Sequence, residues 1–187
     1  MDQYDRDTLL HTHYTTLSAF WESVLERTGY CAILLSAGQQ RFFFHDDQGP
    51  AFRPNPLLVQ WLAQEKISEN SWFVFSQGAK PILLFHQPDD FWHAATVAPH
   101  QLEDRLTLQV FRDLKALHAA LDDHLQQIGG SEKEIAQISE DAPPTNADCV
   151  INPPNVIHAL HFQRACKTEY ELAIMRHASL RGAKGHN

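Results

Sequence analysis

The chain has 187 residues, enough for one domain with a sizeable hydrophobic core. Its formal charge is −8, with 15 Lys and Arg against 23 Asp and Glu. We therefore expect neither nucleic acid nor a membrane as a partner, because both need a concentrated basic face. Three separated cysteines without a CxxC pair fit a reducing compartment, and the polar start is unlike a signal peptide. The sequence thus predicts a cytoplasmic protein.

The first half of the chain is predicted to hold one long helix, one short helix and four strands. Apolar residues at three- and four-residue steps predict the long helix, and short runs rich in β-branched and aromatic residues predict the strands. In chain order, we expect a helix at 5–27, strands at 30–36 and 40–44, a loop at 45–56, a helix at 57–64, and strands at 71–75 and 81–85 joined at Gln77-Gly78. The runs at 71–75 and 81–85 are continuously apolar, which favours strands that are covered on both faces of the sheet.

The second half continues the alternation of strands and helices, which predicts an α/β domain with a mixed sheet. We expect a strand at 106–111, a helix at 113–126 ended by Gly129-Gly130, weaker strands at 134–139 and 148–151 around a loop at 140–147, and a helix from Pro153-Pro154 to about Cys166. Thr168 and Glu171 match a capping box, so a new helix should begin there. Thr168→Ala should therefore cost about 1 kcal/mol.

The helix that begins at Thr168 allows two interpretations. It could pack back on its own domain, as the last helix of a domain often does. It could instead frame the junction with a further domain, leaving Leu172, Ile174 or Met175 partly uncovered, because exposed apolar patches often mark a partner's surface.

Three segments of the sequence follow fixed patterns. They are Ser36-Ala37-Gly38 through Phe44-His45-Asp46-Asp47 to Phe52-Arg53-Pro54-Asn55-Pro56; Lys80-Pro81 with Pro88-Asp89-Asp90-Phe91-Trp92-His93; and Arg164-Ala-Cys-Lys-Thr-Glu-Tyr-Glu-Leu-Ala-Ile-Met-Arg176. They resemble, in turn, the Ser-Gly turn and Asp-Asp loop, the Lys-Pro and Tyr-Trp-His stretch, and the interdomain signature of the bacterial Xaa-Pro dipeptidases, or prolidases. The resemblance spans about residues 8–186 and departs from the family pattern at Gly49-Pro50-Ala51-Phe52.

The resemblance implies a fold for this chain and assigns catalysis to a following domain. The fold would be the creatinase/prolidase amino-terminal domain, an α/β mixed sheet flanked by helices and ribonuclease-H-like in shape. Residues 1–166 would form this domain, and 167–187 would start the interdomain helix that leads to a catalytic domain. Members of the family hydrolyse dipeptides ending in proline with two manganese ions, held by carboxylates and a histidine of that following domain. The chain itself would then hold no cofactor and no metal ligand, and would be inactive alone.

The resemblance also implies partners and one candidate site. The partners would be the chain's own carboxyl-terminal catalytic domain, a second subunit in a homodimer, and a proline dipeptide as substrate. In the family's dimer, the loop at the Asp-Asp doublet reaches the active-site mouth of the other subunit. Asp47 would there meet the substrate's free amino group, with Asp46 the weaker candidate. The competing interpretation is a solvated turn, in which Asp is favoured for its turn chemistry.

Other residue types give weaker hypotheses. His11 and His13 are two apart on a helix and should point to different faces, whereas His158 and His161 could share one. Neither pair has the further ligands of a usual structural metal site. Cys31 is expected to be a small buried apolar residue. Two other functions remain open: a stand-alone binding or regulatory module with this fold, and a small hydrolase that uses the His-rich surface.

Overall fold

A computed structural model gives the fold of residues 3–63, 65–89, 91, 96–129, 134–140 and 147–186. The helices are α1 (Gln3–Thr28), α2 (Pro56–Leu62), α3 (Leu114–Gly129), α4 (Pro154–Ala165) and α5 (Glu169–Gly185). The strands are β1 (Ala32–Ser36), β2 (Trp72–Ser76), β3 (Ile82–His86), β4 (Thr107–Phe111), β5 (Ile135–Ile138) and β6 (Cys149–Ile151). Among the helices so described, none is long and apolar enough to cross a membrane.

The strands form one mixed sheet in the order β4-β3-β2-β1-β5-β6. The hairpin pairs β1–β2 and β2–β3 are antiparallel. The pairs β3–β4, β1–β5 and β5–β6 are parallel. The predicted α/β class with a mixed sheet flanked by helices is therefore confirmed.

Helices cover both faces of the sheet. Helices α1, α2 and α4 pack on one face, where Ile33 and Leu35 of β1 point, and α3 packs on the other, where Ala32 and Leu34 point. This explains the unbroken apolar runs, since alternate residues of one strand enter different cores. Trp21 of α1 lies in the larger core and is fully buried. Burial of such a side chain contributes about 1.5–3 kcal/mol.

The predicted strand at 40–44 is wrong. Gly38 has a φ of +92°, which turns the chain away from the sheet after β1. The strand next to β1 is instead β2, so the aromatic run that follows Gly38 has no ladder to join. Phe42, Phe43 and Phe44 are 63%, 58% and 92% exposed. Aromatic content alone predicted a strand here, but strand formation needs a neighbour and a face to bury.

Most of the other predicted helices and strands begin and end within about three residues of their bounds in the structure. Gly29, at a φ of +83°, ends α1 by donating its N–H to the Leu25 carbonyl. The capping box at Thr168 is present in full. Several residues of the sequence predictions lie outside the described part of the chain: Gln64, Asp90, Trp92, His93, Gly130, Asn187 and most of the loop at 140–147.

Candidate functional site

The doublet Asp46-Asp47 lies on a loop that we call the Asp47 loop, residues 40–50. Its base is held by three side-chain contacts, two to residues outside the loop and one between its two ends. The Gln40 N–H donates to the Glu69 carboxylate at 2.7 Å, and the Gln40 side-chain amide donates to the Pro50 carbonyl at 2.7 Å. Arg41 pairs with Glu140 at 2.9 Å, although both side chains are exposed. The loop is thus closed at its base while its tip faces solvent.

Gly49 closes this base because it has no side chain. A Cβ atom at this position would lie 2.0 Å from the carbonyl oxygen of Arg41, a distance that no substituted residue tolerates without backbone movement. At this point the backbones of the two arms therefore approach each other directly. The departure from the family pattern at this position is visible in the sequence, but the close approach is not.

The two aspartates at the tip differ in their surroundings. The Asp46 carboxylate accepts the N–H of Gln48 at 3.0 Å, an Asx-type contact that shapes the turn. The turn is completed by the Phe43 N–H, which donates to the Gln48 carbonyl at 2.8 Å, and by His45 at a φ of +55°. Asp47 is exposed, and within the described part of the chain its carboxylate has no hydrogen bond or ion pair. Of the two predicted residues, only Asp47 presents a free carboxylate.

Helix α5 is attached to the domain at its first turn. Thr168 caps the helix: its hydroxyl oxygen accepts the Glu171 N–H at 3.3 Å, and the Glu171 carboxylate accepts the Thr168 N–H at 2.9 Å. The His13 ring of α1 lies 2.8 Å from the Thr168 hydroxyl and 3.0 Å from the Gln60 carbonyl of α2. The sequence predicts only that His13 points to a different face of the helix from His11, and it gives no sign of these partners, which are 155 and 47 residues away.

A cavity of about 300 Å³ lies beside this attachment. The residues that line it are mainly apolar, and they include basic and acidic side chains. The lining residues include Pro54, Val59, Gln60, Lys167, Glu171 and Ile174. Beyond it, the side chains of α5 from Met175 onward are all exposed, with Met175 at 52% and Leu180 at 65%. The prediction that Leu172, Ile174 and Met175 stay partly uncovered is confirmed.

Within the part of the chain that the structure describes, the remaining histidines and cysteines do not gather into a site. His11 is exposed and His13 is buried, so the two do point to different faces, while His158 and His161 are both exposed. Cys31 is half-buried rather than fully buried. Among the residues that the structure describes, no group of three or more His, Cys, Asp or Glu is placed to hold a metal ion.

Comparison with known proteins identifies the family. Residues 8–162 match the model of the Xaa-Pro dipeptidase amino-terminal domain, which is more than half of the chain. The chain belongs to this family. The match includes the Asp47 loop and ends within α4, before α5 begins.

Full-length members of the dipeptidase family are longer than this chain. It is 29% identical to a Xaa-Pro dipeptidase of Xanthomonas euvesicatoria over 187 residues, which cover all of this chain and 41% of that protein. It is 32% identical to a Xaa-Pro dipeptidase of Pseudoalteromonas atlantica over 175 residues, 94% of this chain and 38% of that one. A solved structure from Bacillus anthracis, described as an aminopeptidase P, aligns over 79% of this chain and 36% of its own, with a TM-score of 0.42 and 16% identity.

Proposed function

We propose that this chain is the non-catalytic amino-terminal domain of a longer, cytoplasmic, manganese-dependent Xaa-Pro dipeptidase. Residues 1–166 form the domain, and 167–187 start the helix that leads to the catalytic domain. The family match supports this assignment, as does the coverage of the relatives, of which the chain spans about 40%. The two manganese ions belong to the following domain, and this chain supplies none of their ligands.

The exposed part of α5 supports a following domain as its partner. Residues 175–186 are exposed, and isolated helices of this length are marginally stable in water. This stretch contains Arg176, Arg181 and Lys184 but no carboxylate, in a chain of net charge −8. An acidic, partly apolar surface would complement it. We assign that surface to the catalytic domain.

The chain also contributes to a homodimer, in which the Asp47 loop lies at the substrate-pocket mouth of the partner subunit. The observation on which this rests is the free, exposed carboxylate of Asp47 on a loop closed at its base. Phe42, Phe43 and Phe44 beside it form an exposed apolar surface of the kind that marks a protein interface. The Asp47 carboxylate is suited to pair with the ammonium group of a dipeptide in a shielded gap, and such charge-assisted hydrogen bonds are the stronger ones. Asp46 contributes less, since its carboxylate holds the turn.

Substitution in the full-length dimer tests this role. Asp47→Ala should raise KM by a factor equivalent to about 1–3 kcal/mol and leave kcat nearly unchanged, because a positioning carboxylate binds ground and transition states alike. Asp46→Ala should have the smaller effect on KM. The chain alone should release no proline from dipeptides in the presence of manganese, since the metal ligands of the family lie in the following domain.

A mixed dimer decides whether the loop acts across the interface. One subunit has Asp47→Ala, and the other keeps Asp47 but has an inactivated metal site. If the loop acts on its partner, the single intact metal site receives a normal Asp47, and its KM should be close to wild type. A KM equal to that of the Asp47→Ala homodimer would refute the action in trans, and chelator-sensitive turnover by the chain alone would refute the non-catalytic assignment.

A further inference from the structure

The cavity beside the first turn of α5, which we call the α5 cavity, is open and lined mainly by apolar side chains. Pro54, Val59 and Ala63 line it on the side of α2, and Ile174 and Met175 line it on the side of α5. Of these, Val59 is 40% exposed and Met175 is 52% exposed. Exposed apolar side chains around one concave surface are typical of a site that another protein surface covers.

The cavity continues onto the exposed part of α5. Met175 lies in the cavity wall and is also the first residue of the exposed stretch 175–186, in which Leu180 is 65% exposed. A surface that covers this stretch therefore reaches the cavity at Met175. This continuity favours one protein occupant for both over a separate small ligand in the cavity.

The unpaired charge at the cavity is positive. Arg164 is half-buried and Lys167 is exposed, and within the residues that the structure describes neither is paired with a carboxylate. The acidic residue of the lining, Glu171, is already engaged, because its carboxylate accepts the Thr168 N–H at 2.9 Å and the Gln60 side-chain amide at 3.3 Å. The complementary occupant is therefore an apolar group with a carboxylate beside it.

We propose that the α5 cavity is a docking site for the catalytic domain that follows α5, which inserts an apolar side chain there and places a carboxylate opposite Arg164 and Lys167. The inference rests on the proposed function, because that domain belongs to the longer protein. It adds a contact with α2 to the contact along α5. The two domains are then fixed relative to each other at two helices rather than joined by one.

Cysteine alkylation in the 187-residue chain and in the full-length enzyme tests the proposal. Val59→Cys places a thiol on the α2 side of the cavity, away from α5. Val110→Cys on β4 is the matched control, since both valines are 40% exposed and Val110 does not line the cavity. Each variant is treated with iodoacetamide at pH 8, and the rate at each position is read by peptide mass spectrometry. The thiol at position 59 should react about tenfold more slowly in the full-length enzyme than in the chain, because it reacts only when the domains separate locally.

The control decides whether such protection belongs to the cavity. The thiol at position 110 should react at similar rates in the two proteins. Equal rates at position 59 in the chain and in the full-length enzyme overturn the proposal, as does an equal slowing at both positions. A full-length enzyme that hydrolyses dipeptides while position 59 stays unprotected would overturn this proposal alone. The proposed function has its own refutation, which is chelator-sensitive turnover by the chain without the following domain.

A second pair of variants tests the carboxylate partner. In the full-length Val59→Cys enzyme, Lys167→Met should raise the alkylation rate at position 59 by about two- to fivefold, the factor that corresponds to the loss of an exposed ion pair. Lys115→Met is the control, because Lys115 is an exposed lysine on α3, which packs on the other face of the sheet. It should leave the rate unchanged. An equal effect of the two lysine substitutions overturns the assignment of a carboxylate to this site.

Discussion

Thr168→Ala should destabilise the chain by more than the loss of an ordinary helix cap. Loss of the cap contact to the Glu171 N–H costs about 1 kcal/mol. The substitution also leaves a ring nitrogen of His13 without its partner at a position that is 1% exposed. An unsatisfied buried polar atom costs about 1–3 kcal/mol. The expected decrease in the free energy of unfolding is therefore about 2–4 kcal/mol, against the 1 kcal/mol predicted from sequence.

Urea unfolding at a single pH measures this difference, and a second cap provides the matched control. Asn55 caps α2 by accepting the Leu57 N–H at 3.0 Å, and its side chain is half-buried. Asn55→Ala should therefore cost about 1 kcal/mol, the value for a cap alone. Thr168→Ser keeps the hydroxyl and should lie within about 0.5 kcal/mol of wild type, as do most substitutions that leave such features intact.

The comparison between the two caps decides whether the His13 contact matters. The reasoning is refuted if Thr168→Ala costs no more than Asn55→Ala at an unchanged denaturant slope. A changed slope would instead mean that the native or denatured state had altered in compactness. In that case the local release of α5 is read from the amide exchange of Leu172, whose N–H donates to the Thr168 carbonyl at 2.9 Å.

Two further predictions concern a glycine and a cysteine. Gly49→Ala should destabilise the chain by about 1–3 kcal/mol, because its Cβ would overlap the Arg41 carbonyl. Gly182→Ala should stabilise the chain by up to about 1 kcal/mol, because Gly182 lies in an exposed helix with open space around it. Urea unfolding in which both changes have the same effect would contradict this. Burial raises the pKa of the Cys149 thiol to about 11, with Asp148 nearby contributing. Iodoacetamide at pH 8 should therefore alkylate the exposed Cys166 first, and equal rates for the two thiols would be inconsistent with the burial of Cys149.

The regular elements could be predicted from sequence because their patterns are local. The spacing of Leu17, Trp21 and Val24 identifies one buried face of α1, and the capping box at Thr168 is readable over four residues. The error at 40–44 has a different origin. An aromatic run becomes a strand only if a neighbouring strand and a covered face are available, and Gly38 turns the chain away from both. The composition of this run shows that its residues favour a strand, but it does not show whether a neighbouring strand is available.

The candidate site was predictable only in part. The family pattern indicates the Asp-Asp doublet. Which of its two carboxylates is free depends on which one accepts the Gln48 N–H, and in the structure this is Asp46. The hydrogen bonds of His13 with Gln60 and Thr168 could not be predicted at all, because the three residues belong to different helices. His13 and Thr168 are 155 residues apart, and Gln60 and Glu171 are 111 apart. No local pattern encodes a contact over such separations.

Helix α2 is hydrogen-bonded at both of its ends to other parts of the domain. At its start, the N–H of the cap residue Asn55 donates to the carbonyl of Ala37, the residue that follows β1, at 3.0 Å. At its other end, Gln60 bonds to His13 through its carbonyl and to Glu171 through its side chain. The helix has seven residues, and Leu57, Trp61 and three others among them are buried. Helix α2 therefore lies between the first turn of α5 and the residue that follows β1, and it is hydrogen-bonded to both.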